Sequence, residues 1–146
     1  MVRTRLEKKL ANNHNYHLAN FLSSLLVAQQ KKKVIYTYWP SPKIVIAVAV
    51  ALRDEGFIHG FTLNQEKNAL RIEIYLKYHG SNLMPLISKL RLYASPSHPF
   101  NYTYKRLTKL VYRKTHIYFL STIFGIKTSE YCLSNMLGGN LLFRIR

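Results

Sequence analysis

Three observations predict an α+β fold made of two small α/β lobes. Apolar residues recur every three or four positions between Leu18 and Leu26, which is the spacing of one helix face. Apolar and polar residues alternate from Leu70 to Lys77, as in a strand with one buried face. A polar break at 79–82 separates the two halves. We therefore expect a flexible basic arm at 1–15, an N-terminal lobe at 16–79 and a C-terminal lobe at 80–146.

The N-terminal lobe is predicted to have the order helix, strand, helix, followed by two antiparallel strands. Residues 34–39 are rich in β-branched and aromatic side chains and favour a strand, which Pro40 ends. Ser41 is expected to cap the next helix, with Pro42 at its first position and Gly56 just beyond its last turn. The remaining elements are predicted as strands at 57–63 and 70–77, with a polar turn at 64–68.

The C-terminal lobe is predicted to be mainly β-structure with one short helix. Thr128 is expected to cap that helix, with Glu130 in its first turn, where a carboxylate suits the helix dipole. Gly138 and Gly139 are expected to end it. The other predicted elements are a strand at the end of 83–93, a turn at 95–99, extended segments at 101–104 and 115–122, a break at Gly125 and a last strand at 141–145.

Charge is the feature that bears most directly on function. The 146 residues include 22 Lys and Arg but only 6 Asp and Glu, for a formal net charge of +16. Folding such a chain brings like charges together, so a polyanion is expected to supply the counter-charge. After Glu73 the only acidic residue is Glu130, and the C-terminal lobe is therefore expected to face nucleic-acid phosphate. An anionic membrane surface is the competing polyanion.

Residue patterns typical of catalysis, metal binding or membrane insertion are missing from the sequence. The single cysteine, Cys132, excludes an internal disulfide and a cysteine-based zinc site. No Ser-His-Asp grouping, Walker loop or pair of catalytic carboxylates is found. The longest apolar run, Ile44–Leu52, is about half of the roughly 20 residues that a membrane span needs. We expect no enzymatic activity, no cofactor, no metal site and no transmembrane segment.

Four segments, in order, resemble a known family, the universal small-subunit ribosomal protein numbered eight in the bacterial scheme. The family motifs are a proline–serine–lysine entry with an E-E-G-F-I exit, a strand ending in L-K-Y, the turn S-[KR]-P-G-x-R-x-Y, and S-T-S-K-G-x-M-T followed by G-G. The segments of this chain that resemble them are Pro40–Lys43 with Leu52–Ile58, Leu70–Tyr78, Ser97–Tyr104, and Ser121–Thr128 with Gly138–Gly139. The likeness extends from about Leu18 to the C-terminus.

The resemblance implies a structural protein of the small ribosomal subunit, with two small α/β lobes and no catalytic site. It also implies that the C-terminal lobe binds a stem in the central domain of small-subunit rRNA. The protein is then expected to join the subunit early in its assembly. The implied partners are this rRNA and neighbouring small-subunit ribosomal proteins. A small-molecule substrate, a membrane and a second copy of the chain are not expected as partners.

The predicted RNA-binding residues cluster around the fourth motif. Ser121 and Thr122 offer hydroxyl groups to a phosphate, a 2′-OH or a base edge, and Gly125 permits close backbone approach. Phe124 is either a core residue or a platform for stacking an unpaired base. Tyr102 and Tyr104 belong either to a half-buried strand or to the RNA face. The predicted RNA-binding set is Lys43, Tyr102, Tyr104, Lys105, Arg106, Ser121, Thr122, Ile123, Phe124, Gly125 and Lys127, with Lys109, Arg113 and Lys114 as further phosphate contacts.

The chain departs from the family motifs where RNA recognition is expected. Ile123 stands in place of a small polar residue, Phe124 in place of lysine and Tyr102 in place of arginine. Base-edge hydrogen bonds are therefore expected to be partly replaced by stacking and packing. This divergence, together with a composition rich in Tyr and Phe, favours a ribosome of the mitochondrial matrix. A bacterial or plastid ribosome is the alternative.

Two other functions remain as alternatives to a ribosomal protein. One is an organellar RNA-processing enzyme, which would need an acidic cluster or a histidine pair that the sequence does not show. The other is a membrane-surface protein whose amphipathic helix at 16–30 would lie on anionic lipid.

Overall fold

The computed structural model describes residues 5–93, 100–112 and 115–146, with side chains from residue 15 onward. Within these residues helices combine with antiparallel sheets, which confirms the predicted α+β class. The chain divides into two compact units between Ser88 and Lys89. No helix in the described ranges combines the length and the apolar character that a membrane span requires.

The first unit is a three-stranded antiparallel sheet with two helices. The sheet order is β1-β3-β2, and two further short strands, β4 and β5, pair with each other. The helix–strand–helix order followed by antiparallel strands agrees with the sequence prediction. The elements are α1 (Arg5–Gln30), β1 (Ile35–Tyr38), α2 (Lys43–Asp54), β2 (Ile58–Glu66), β3 (Ala69–Leu76), β4 (Tyr78–His79) and β5 (Met84–Pro85).

The core of the first unit lies between the helices and the sheet. The ring of Phe21 on α1 lies 5.5 Å from that of Tyr38 on β1, measured between centroids. Fully burying each such apolar side chain contributes about 1.5–3 kcal/mol. The predicted apolar stripe of α1 is therefore confirmed as its core face. The buried side chains include Leu18, Phe21, Leu22, Leu25, Val45, Val48, Leu52, Ile72 and Ile74.

The first helix begins earlier than the sequence analysis predicts. It starts at Arg5, so the predicted arm at 1–15 is helical from that residue, and residues 1–4 lie outside the described chain. The prediction rested on polarity, whereas residues 5–11 are mostly strong helix formers with no Gly or Pro among them.

The two ends of α2 test two capping predictions. Ser41 is not the cap, because the cap residue is Pro42, and the Ser41 hydroxyl donates instead to the carbonyl of Tyr38 at 2.9 Å. At the other end Gly56 has φ +80°, a conformation in which glycine carries no Cβ penalty. The Phe57 N–H donates to Leu52 O at 2.9 Å across this turn. The predicted glycine stop is confirmed.

Two boundaries in the first unit differ from the sequence prediction. β2 continues to Glu66, and Glu66 pairs with Ala69, so a two-residue turn replaces the predicted turn at 64–68. Arg71 on β3 forms an ion pair across the hairpin with Glu66 at 3.2 Å and another with Glu73 on its own strand at 3.1 Å. The predicted lobe boundary followed residue 79. The pairing of β4 with β5 keeps the next residues in the first unit.

The second unit is an antiparallel sheet with two short helices. The strand order is β6-β10-β8-β9, and β7 pairs with the beginning of β10. The elements are β6 (Leu90–Leu92), β7 (Asn101–Tyr102), α3 (Tyr104–Val111), β8 (Ile117–Thr122), β9 (Gly125–Thr128), α4 (Ser129–Ser134) and β10 (Gly139–Ile145).

The second unit contains two short helices, α3 and α4, whereas the sequence analysis predicted only one. Tyr104, expected in an extended segment, is the first residue of α3. Leu107, Leu110 and Val111 lie at helical spacing and pack on the core, a stripe that the Tyr–Thr–Tyr alternation obscured. That core contains Leu107, Tyr118, Leu120, Cys132 and Leu141.

The turn predicted at 95–99 and the phosphate contacts predicted at Arg113 and Lys114 lie outside the described residues.

The predicted cap of α4 is confirmed. The Thr128 hydroxyl accepts a hydrogen bond from the Tyr131 N–H at 3.4 Å, and Glu130 lies in the first turn. Cys132 is buried on this helix, and burial raises the pKa of its thiol. The helix ends at Ser134, several residues before Gly138, so the two glycines do not act as its stop.

Replacement of Leu107 by Ala tests the packing of α3. The side chain is fully buried, so Leu107→Ala should lower the free energy of unfolding by about 2–5 kcal/mol, measured by urea denaturation. Thr108→Ala, at the next and exposed position, should change it by less than about 0.5 kcal/mol. Equal effects of the two substitutions would contradict the packing of α3 described above.

Candidate nucleic-acid interface

The hairpin between β8 and β9 exposes two large apolar side chains. Thr122 pairs with Gly125, which leaves Ile123 and Phe124 as a two-residue turn. Ile123 is 87% exposed and Phe124 is 60% exposed. Phe124 is therefore not a core residue, and that alternative from the sequence is wrong. Both side chains are open to an external partner.

The hydroxyl of Thr122 holds this turn together. It accepts a hydrogen bond from the Phe124 N–H at 3.2 Å and donates to the Gly125 carbonyl at 2.8 Å. Gly125 has φ +98°, which L-residues rarely adopt. The Thr122 proton is thus used within the turn, so this hydroxyl organises the backbone instead of pointing outward as a donor.

Ser121 differs from Thr122 because its side chain lies on the opposite face of the strand. It is exposed, and its hydroxyl has no hydrogen-bond partner among the described residues. Its cross-strand partner on β10 is Asn140, whose buried side-chain oxygen also has no protein partner within the described ranges. This pair therefore has unused hydrogen-bonding capacity.

Asn140 is a candidate contact residue that the sequence prediction omitted. The available signal was one amide side chain at the start of a strand that is otherwise largely apolar. The significance of that signal depends on the pairing with Ser121, and the pairing is visible only in the folded sheet.

Gly138 and Gly139 bring the predicted site residues together. A Cβ at Gly139 would lie 2.7 Å from the Ser121 carbonyl oxygen, and one at Gly138 would lie 2.6 Å from the Tyr102 carbonyl oxygen. Both distances are too short for any side chain. The start of β10 therefore contacts β7 on one side and β8 on the other, which places Tyr102 and Ser121 at the same end of the sheet.

Cations surround the N-terminus of α3. Lys105 and Arg106 are exposed in its first turn, which contains no acidic residue. The helix dipole disfavours cations there, so their positive potential adds to that of the helix end. The Arg106 guanidinium lies 5.8 Å above the ring of Tyr102, which is half-buried against the core. Tyr104, in the same turn, is 37% exposed.

The remaining two predicted residues are Lys127, two residues beyond Gly125, and Lys43, in the first unit. Lys127 on β9 has its ammonium 5.0 Å above the ring of Tyr131, and it pairs with Leu120 on the face that α3 and α4 cover. Lys43 is exposed at the start of α2 in the first unit. The structure therefore groups the second-unit residues around one end of the sheet and leaves Lys43 in a different unit.

Comparison with known proteins identifies extensive similarity. The family model for ribosomal protein S8 matches residues 17–145. Small ribosomal subunit protein uS8c of Euglena gracilis is 33% identical over 135 residues, covering 88% of this chain and 92% of that protein. Small ribosomal subunit protein uS8 of Bordetella pertussis is 29% identical over 127 residues, covering 86% of this chain and 92% of that protein.

A substitution at Gly139 tests the backbone contact that positions the interface. Gly139→Ala should lower the free energy of unfolding by about 1–3 kcal/mol, because the new Cβ forces β10 away from β8. Gly60→Ala is the matched control, since a Cβ there meets nothing within 4 Å. Thermal unfolding followed by circular dichroism measures both. If Gly139→Ala proves as stable as Gly60→Ala, the two strands are not in the close contact described.

Proposed function

The chain belongs to the ribosomal protein S8 family of structural, non-enzymatic components of the small ribosomal subunit, and we propose that it binds small-subunit rRNA through its second unit. The proposed ligand is a stem of the central domain. The observation that carries the proposal is the β8–β9 turn, which presents Ile123 and Phe124 to solvent beside the hydroxyl of Ser121, for which no described residue is a hydrogen-bond partner.

Each part of the turn has a chemical role in this proposal. Phe124 stacks on an unpaired base, a contact worth about 1–3 kcal/mol, and Ile123 packs beside it. The Ser121 hydroxyl exchanges hydrogen bonds with a 2′-OH or a phosphate. Thr122 and Gly125 fix the backbone in advance, so less conformational entropy is lost when RNA binds.

The charge of the second unit supports an RNA partner. Residues 89–146 contain ten Lys and Arg but one acidic residue, Glu130. Lys105 and Arg106 are proposed as phosphate contacts near the turn, because they are exposed and no acidic side chain shares their helix turn. Such contacts release counterions and make the affinity depend steeply on salt.

The membrane-surface alternative loses its main support in the structure. It required the apolar face of the helix at 16–30 to meet lipid. Leu18, Phe21, Leu22 and Leu25 on that face are fully buried in the core of the first unit. These side chains therefore pack inside the protein and are not available to contact lipid.

We further propose that the ribosome is mitochondrial. Support comes from the sequence, through the apolar replacements at Ile123 and Phe124 and the many Tyr and Phe residues. A bacterial or plastid ribosome is equally compatible with the relatives from Bordetella and Euglena.

Two single substitutions test RNA binding at the turn. Ser121→Ala should weaken binding to a transcript of the central-domain stem by about 1–2 kcal/mol through a lost hydrogen bond. Phe124→Ala should weaken it by about 1–3 kcal/mol through lost stacking. Filter-binding or fluorescence titration at fixed salt measures both, and Ser134→Ala, exposed on α4, is the control. Wild-type affinity in both variants would move the RNA site elsewhere.

Fractionation tests the proposed compartment. In the source organism, the chain should co-sediment with small ribosomal subunits from lysed, purified mitochondria on a sucrose gradient. RNase treatment should release it to the top of the gradient, because the proposed attachment is through rRNA. Recovery with plastid or cytoplasmic bacterial-type subunits would replace the mitochondrial assignment without affecting the proposal for RNA binding.

A further inference from the structure

A pair of arginines faces each other across the ladder between β6 and β10. Arg91 and Arg144 are direct cross-strand partners. Both guanidinium groups lie over the same ring, that of Tyr93, at 5.2 Å and 5.9 Å from its centroid. Like charges that face each other directly on a sheet are destabilising. The arrangement therefore places two cations on adjacent strands around one aromatic ring.

No Asp or Glu side chain forms an ion pair with Arg91 or Arg144 among the described residues. The ion pairs found there involve Arg53 and Arg71, both in the first unit. The only acidic residue of the second unit is Glu130, on α4. The two arginines therefore lack a counter-charge from these residues.

Lys89 adds further positive charge beside the pair. The backbones of Lys89 and Arg146 exchange hydrogen bonds at 3.1 Å and 2.9 Å, which extends the ladder and places both on the face of Arg91 and Arg144. Burial, and then the charges of Arg144 and Arg146, lower the pKa of His116 below its usual value. The imidazole is therefore more readily neutral at pH 7, and it offers an aromatic hydrogen-bonding group beside the cations.

We propose that Arg91 and Arg144, held over Tyr93, clamp a backbone phosphate of a second RNA segment, away from the β8–β9 turn. The inference rests on the proposed function, because it assigns a second contact to the same RNA partner. A guanidinium group donates two parallel hydrogen bonds to a phosphate, and in this proposal both groups bind the same anion. That anion offsets the repulsion between them.

The clamp is separate from the turn in position and in orientation. Arg144 is opposite Tyr118 on β8, and the turn residues Ile123 and Phe124 follow five and six residues later. At about 3.3 Å per residue, the separation is roughly 17–20 Å. Ser121, three residues after Tyr118, lies on the other face of the strand. An RNA partner that contacts both sites therefore spans this distance, and we infer that it does so with two different segments.

An RNA phosphate fits the clamp better than an acidic protein segment. Tyr93 is half-buried against the core of the second unit, so its ring fixes the position of both guanidinium groups. Aromatic side chains also lie among the cations, with Tyr93 just after β6 and His116 just before β8. This interleaving is typical of surfaces that meet both phosphates and bases.

The test compares two RNAs and two pairs of substitutions in the full chain. The probes are a transcript of the central-domain stem and a transcript of the whole central domain. Arg91→Gln with Arg144→Gln should leave affinity for the stem unchanged and weaken binding to the whole domain roughly tenfold. The slope of log affinity against log salt should become shallower by about 0.7 to 0.9, because one phosphate contact is lost. Arg91→Lys with Arg144→Lys should restore the slope but not the affinity, because lysine lacks the planar fork.

Arg53→Gln is the matched control. Arg53 also lies over an aromatic ring, Phe61 at 5.5 Å, but it has a carboxylate partner in Asp54 at 3.3 Å. Its replacement should not change binding to either RNA. Thermal unfolding checks the fold of each variant, and the exposed Arg91→Gln alone serves if the double variant does not fold.

The outcomes separate this inference from the proposed function. If the wild-type chain binds neither RNA, the proposed function fails. If it binds both and the double glutamine variant matches it on the whole domain, only the clamp is overturned. Full recovery by the lysine variant would also overturn the clamp, because charge alone would then suffice. Arginine-dependent binding of poly-glutamate with unchanged RNA affinity would assign the pair to an acidic protein partner instead.

Discussion

The backbone contact at Gly138 and Gly139 is the constraint on which the second unit depends. Any Cβ at these positions would overlap a carbonyl oxygen of β7 or β8. Because the contact is made by backbone atoms, it fixes the spacing of three strands without relying on side-chain packing. The candidate interface is assembled at this point, where Tyr102, Ser121 and Asn140 meet from distant parts of the chain.

A second constraint comes from the shortage of acidic residues. With 22 Lys and Arg residues against 6 Asp and Glu residues, there are too few carboxylates to give each cation its own partner. Several lie over aromatic rings instead, as Arg106 does over Tyr102 and Lys127 over Tyr131. Such contacts contribute about 0.5–1 kcal/mol each at exposed sites and leave the charge uncompensated. The cations are thus positioned and remain available for phosphate.

Local signals in the sequence were sufficient for much of the fold. The apolar stripe of α1, the alternation in β3, the stop at Gly56 and the cap at Thr128 all depend on residues within a few positions of one another. The prediction failed around Tyr104 because two sequence patterns overlap there, one typical of a strand and one typical of a helix. Tyr104 alternates with its neighbours like a strand residue, but the apolar spacing that places Leu107 in the core makes the segment helical.

The sequence by itself determined the fold class, the family and the position of the exposed turn, because these follow from short motifs and from overall charge. Only the tertiary structure decided which hydroxyl of that turn has no partner among the described residues, since Thr122 bonds within the turn while Ser121 faces Asn140. It also decided that Arg91 and Arg144 stand side by side. Strand register pairs Ser121 with Asn140 and Arg91 with Arg144, and the residues that it pairs are far apart in the chain.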